Sequence, residues 1–126
     1  MNTEHGKCLI AIDGNIIKSK TIGSFNIEGL DKAIESLKLA IDSFCQKDFK
    51  LLIDYTEAEG GTPEVYIKIN EFNVWLNKQN IIAKAIVTPS SVMAEILMVR
   101  TPARKLLNEK VFSAEANALT WLKSQS

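Results

Sequence analysis

Few residues in this chain have the type and spacing to do chemistry. A covalent hydrolase or transferase needs a nucleophile beside a base, most often histidine. The single histidine, His5, sits in a polar N-terminal segment. Cys8 and Cys45 are far apart without CxxC spacing, each within an apolar periodic stretch. They read as reduced, buried thiols and not as a disulfide. One histidine and two distant cysteines also fall short of a zinc set. Three carboxylates remain: Asp54, Glu57 and Glu59 follow an apolar run, where open α/β sheets place ligands. They suit a hard cation or acid–base work, but lack the ordered spacing of a calcium loop and read first as a solvated loop. Gly60-Gly61 belongs to neither phosphate-binding glycine pattern. Thr62, before Pro63, reads as a helix cap, as do Ser90 and Ser91 after Pro89. Asp54, Thr62, Ser90 and Ser91 are therefore the candidate ligand-binding or switch positions, with no catalytic residue, metal set or cofactor motif assigned.

The elements that position these residues follow from periodicity. Cys8–Ile12, Asp13-Gly14-Asn15 and Ile16–Ile22 form the pattern of an antiparallel hairpin. Leu30, Ala33, Ile34, Leu37, Ala40, Ile41, Phe44 and Cys45 recur at helical spacing. Phe49–Tyr55 and Ile81–Val87 are strands apolar on both faces, the second interrupted by Lys84. Between them a helix over about Pro63–Lys78 turns Val65, Ile69, Phe72 and Leu76 inward. A helix from Val92 presents Val92, Ile96, Val99 and Ala103 as its stripe and is interrupted near Pro102. Lys110-Val111-Phe112 is a short strand; Ser113 caps a last helix whose inward face is Ala118, Trp121 and Leu122. The order β-β-α-β-α-β-α-β-α predicts an α/β fold: a mainly parallel sheet with one antiparallel edge strand, its helices attached by right-handed crossovers.

A chain of 126 residues with 46% apolar content has the size and core material of one domain, 1–126. Fifteen basic and fifteen acidic residues balance, and the basic ones are scattered, which argues against nucleic acid. No apolar run approaches the roughly 20 residues of a membrane span, and the first residues lack the apolar centre of a secretory signal. A cytoplasmic location is the resulting expectation.

Apolar residues exceed what one inward face requires. Ile67 and Val74 lie opposite the stripe of their helix; Met93, Leu97 and Met98 flank the stripe of the next. These five form a candidate interface for a protein partner or a second copy of the chain.

Three strings resemble the SpoIIAA-like group of STAS domains, the anti-sigma-factor antagonists and their small stand-alone bacterial relatives. They are Phe49–Asp54, Ala83–Val87, and Val111–Leu122 with its Ala-Leu-x-Trp-Leu ending. The resemblance implies a STAS-like fold with helices chiefly on one sheet face. It also implies a non-enzymatic regulatory or protein-interaction role. Where the phosphorylated antagonists carry Asp-Ser-Ser-Gly, this chain reads Gly60-Gly61-Thr62-Pro63-Glu64, without the phosphoacceptor serine. Because that fold resembles lipid-transfer domains, the alternative is a carrier or sensor of a small apolar or lipid-like ligand, with Tyr66, Trp75, Met93 and Leu97 lining a cavity.

Overall fold

The computed structural model describes residues 6–126, so His5 lies outside the described residues. Strands β1 (Lys7–Asp13) and β2 (Ile16–Phe25) form the hairpin, with Asp13 paired to Ile16. Gly14 supplies the positive φ (61°) that so tight a turn requires at its first position. Helix α1 (Ile27–Asp42) starts at Asn26, whose side chain accepts from Gly29 N at 2.9 Å. There follow β3 (Phe49–Gly61), α2 (Pro63–Leu76), β4 (Ile81–Val87), α3 (Ser91–Arg100), a 3-10 turn (Pro102–Leu106), β5 (Glu109–Phe112) and α4 (Glu115–Ser124).

The sheet order is β1-β2-β3-β4-β5, antiparallel at the hairpin and parallel elsewhere. Strand residues alternate between faces. Ile17, Leu51, Ile53 and Ile86 pack with Leu37 and Ile41 of α1, Phe72 and Leu76 of α2, and Leu97 of α3. Ile16, Leu52, Ala83, Ala85 and Val87 pack with Ala118 and Leu122 of α4 alone. Three helices on one face and one on the other bear out the predicted layer asymmetry.

Several local readings change. β3 does not stop at Tyr55, because the long β2 continues the ladder: Ile22 pairs with Glu57, Gly23 with Ala58 and Phe25 with Gly61 across two bulges. Asp54, Glu57 and Glu59 therefore belong to a strand and not to a loop. Cys45 is exposed, since α1 ends at Asp42 and Cys45 sits at φ 52° in the turn beyond it. The α3 stripe is rotated: Val92 and Val99 face solvent, while Leu97 is 6% exposed within the main core. Leu97 thereby leaves the candidate interface. The shift has a physical cause, for α3 is short and apolar nearly all round, so periodicity does not single out one face. Ser113 does not cap α4; Ala114 stands at that position. α3 ends before Pro102, as the proline dictates.

Candidate functional site

The helical face of the sheet carries a cross-strand row, Ile17–Leu51–Lys84–Glu109, in which two apolar residues are followed by two charged ones. Lys84 interrupts an otherwise apolar strand and its side chain is 3% exposed. Its Nζ donates to Asn73 Oδ1 of α2 at 2.8 Å and lies 3.1 Å from Glu109 Oε1, whose side chain is equally buried. Glu109 Oε2 accepts from Arg104 Nη1, brought over by the 3-10 turn. Thus β4, β5, α2 and the turn each contribute one member to a buried polar cluster. Burial pulls the Lys84 ammonium below the ordinary lysine value, opposed by the Glu109 charge. Burial likewise pushes the nearby Tyr55 phenol up.

Above this cluster the helical layer does not close completely. A cavity of about 70 Å³ lies between the sheet, α1 and α2, with Met93 and Leu97 of α3 on its border. Leu37, Ile53, Ile69 and Phe72 give it an apolar wall; Lys84, Asn73, Tyr55, Tyr66, Ser19 and Thr21 bring polar groups to it. Ala58, Gly60 and Gly61 line it from the distal half of β3, the carboxyl end at which open α/β sheets bind ligands. Gly61 leaves no room for a side chain, as a Cβ there would stand 3.0 Å from Val65 Cγ1 and 3.1 Å from the Phe25 carbonyl oxygen. A second space of about 10 Å³, the size of one water, lies beyond Asn73 and Lys84 against Arg104 and Glu109.

The predicted positions are distributed around this cavity and are not gathered in it. Asp54 is buried but points to the α4 face, where its Oδ1 accepts from Thr56 N at 2.8 Å and it borders a groove with Lys18, Lys20 and Glu115. Glu57 pairs with Lys20 at 2.6 Å on the exposed surface. Thr62 occupies the N-cap position of α2 without making the cap bond; a bond from Glu64's own backbone N–H, and secondarily the Thr62 hydroxyl, hold the exposed Glu64 carboxyl below its ordinary range. Ser90 does cap α3, accepting from Met93 N at 3.1 Å, and Ser91 is the exposed first residue of that helix. None of Thr62, Ser90 and Ser91 borders the cavity.

Of the residues expected around an apolar ligand, Tyr66, Met93 and Leu97 line the cavity, whereas Trp75 packs against Phe72 beneath the Lys38 ammonium. Ile67 is 61% exposed, and Val74 and Met98 are also exposed. Among the described residues no three His, Cys, Asp or Glu side chains cluster as a metal would need, and no helix is long and apolar enough to cross a membrane. Lys84, Asn73, Glu109 and Arg104 are the members that sequence reasoning missed. The available signal was Lys84 itself, a charge in the middle of a strand apolar on both faces.

An antiparallel opening hairpin joined to a parallel sheet, with three helices on one face and one on the other, defines the STAS-like class of α/β domains. Within it, the chain belongs to the SpoIIAA-like family, whose model matches residues 16–123. The solved structures agree at the level of fold. An uncharacterised DUF3478-family protein with a SpoIIAA-like fold from Shewanella loihica PV-4 is 18% identical, with 97% of each chain covered and a TM-score of 0.71. An anti-sigma factor antagonist from Mycobacterium paratuberculosis is 12% identical over 95% of this chain and 96% of that one, TM-score 0.67. The anti-sigma factor antagonist SpoIIAA in its unphosphorylated form is 8% identical over 95% and 99%, TM-score 0.61. No curated protein sequence matches the chain.

Proposed function

We propose that this chain is a non-enzymatic regulatory domain that senses or carries a small apolar ligand held beneath its helical layer. The cavity of about 70 Å³ carries the reading: its wall is apolar, and a few polar groups converge at one place, as in small-molecule sites generally. The regulatory part rests on membership of the SpoIIAA-like family. A phosphorylation switch of the antagonist type has no support here, because Gly60-Gly61-Thr62-Pro63-Glu64 lacks the serine and places a carboxylate beside Thr62. A catalytic role for the carboxylates is disfavoured by their placement, with Asp54 on the opposite sheet face and Glu57 in a surface ion pair.

Native mass spectrometry of protein purified from its own host tests the reading. A retained small mass, lost on denaturation, is the expected result. A bare polypeptide mass, together with no rise in melting temperature across a panel of small apolar compounds, overturns it.

A second reading, contact with a protein partner or a second copy through the outer faces of α2 and α3, is favoured by the exposure of Ile67, Val74 and Met98 together with Val92 and Val99.

A further inference from the structure

The polar end of the cavity has a charge that the fold does not balance. Lys84 and Arg104 bring two cations to one anion, Glu109, and all three side chains are at least mostly withdrawn from water. A buried charge is tolerated only with a partner. Hydrogen-bond donors are in excess as well. Asn73, 1% exposed, spends its Oδ1 on Lys84, which turns Nδ2 away from that bond; among the described residues Nδ2 has no acceptor. Arg104 Nε is also without one. Glu109 Oε1 lies 3.1 Å from Lys84 Nζ and is the one counter-charge there, but it satisfies neither Asn73 Nδ2 nor Arg104 Nε.

Deepening the ligand-binding reading on which it rests, we infer that the cavity takes a short-chain carboxylic acid: its carboxylate accepts from Lys84 Nζ and Asn73 Nδ2 while its alkyl end lies among Leu37, Ile53 and Phe72. The carboxylate supplies the missing negative charge and meets the free amide donor at once, which a neutral alcohol or amide does not. Charge-assisted bonds of this kind are about twice as strong as neutral ones. Size points the same way. A cavity of about 150 Å³ holds benzene, so about 70 Å³ suits a molecule of a few non-hydrogen atoms, such as propionate. Burial raises the Cys8 thiol and the Tyr55 phenol, two other lining groups, above their ordinary values, so neither brings a competing negative charge.

The test is a titration of the full chain with acetate, propionate, propionamide and 1-propanol, followed through the methyl signals of Leu37, Ile53 and Leu97. Propionate is expected to saturate these shifts with at least tenfold higher affinity than propionamide or 1-propanol, and roughly fourfold higher than acetate, the factor for one buried methylene. Lys84→Met and Asn73→Asp are each expected to lower propionate affinity at least tenfold while leaving that of 1-propanol within twofold. Asn73→Asp keeps a partner for Lys84, so it remains informative if Lys84→Met fails to fold. Equal binding of 1-propanol and propionate overturns the carboxylate inference and leaves the apolar-ligand reading standing. Propionate binding unaffected by both variants places the site elsewhere and also overturns it. Saturation by none of the four compounds, with the protein folded, overturns the inference and weighs against the reading beneath it.

Discussion

Replacing Glu109 with glutamine removes the one anion of the buried cluster and leaves Lys84 and Arg104 facing each other. Breaking a buried pair by deleting one partner costs about 3–5 kcal/mol, because the remaining charge is desolvated and unpaired. Proton release from Lys84 sets a ceiling. Neutralising an amine with an unfolded-state value of about 10.4 at pH 7 costs about 1.4 kcal/mol per unit over 3.4 units, or about 5 kcal/mol. Lys84→Met is different: Glu109 loses one of its two cations but keeps Arg104, Asn73 Oδ1 loses its donor, and the methionine fills most of the lysine stem, for a cost of about 1–2 kcal/mol. The ranking is therefore Glu109→Gln well above Lys84→Met. The pH dependence follows from the direction of the Lys84 shift. A lysine held below its unfolded value binds fewer protons folded than unfolded, so its stability contribution falls as pH falls from about 10.4 towards the folded value. Glu109→Gln removes the charge that opposed this lowering and extends the fall to lower pH. Urea denaturation followed by tryptophan fluorescence between pH 6 and pH 10 measures both. Equal costs for the two variants at pH 7, or a Glu109→Gln penalty that shrinks as pH falls, would refute the charge assignment of the cluster.

Three further outcomes follow from the packing. Gly61→Ala should cost about 1–3 kcal/mol in denaturant melts, since its methyl group meets Val65 and the Phe25 carbonyl; an unchanged midpoint would mean that β3 and α2 move apart freely. A thiol reagent should label Cys45 on the order of tenfold faster than Cys8, whose thiol is pushed up by burial and lies 3.2 Å from Ser19 Oγ; equal rates would place Cys8 in solvent. Ile67→Lys with Val74→Lys should change stability by no more than about 0.5 kcal/mol each yet weaken any self-association seen by sedimentation, and unfolding of the double variant would show that these residues are core.

How much was legible depended on what each segment packs against. The hairpin is readable from the turn Asp13-Gly14-Asn15 between two β-rich runs, and α1 and the strand at Ile81–Val87 are readable because each has a continuous apolar face. The distal half of β3 is not. Thr56–Gly61 is acidic and glycine-rich, and it is extended only because β2 runs on to Phe25 beside it. Tertiary pairing overrode local preference there. α3 failed for the opposite reason: with valine, methionine, isoleucine and leucine on all sides, the sheet and α2 choose which face is buried, and they choose Leu97. The site was half legible. Of the four residues expected around a cavity, Tyr66, Met93 and Leu97 line it and Trp75 does not, while in the sequence Lys84 shows only as an interruption of its strand. A lysine flanked by Ala83 and Ala85 in a doubly covered strand must be buried, and a buried lysine must find a carboxylate. Its partner, Glu109, lies on another strand, and only the register Lys84–Glu109 joins them.

Ligand binding beneath the helical layer requires that the space between the sheet, α1 and α2 admit a small apolar body. Xenon pressurisation of crystals of the protein tests it directly, because the gas enters dry apolar cavities without specific chemistry. A xenon peak in van der Waals contact with Leu37, Ile53 and Phe72 is the predicted result. A structure in which α1 and α2 close onto these residues, leaving no xenon anywhere on the helical face of the sheet, would contradict it.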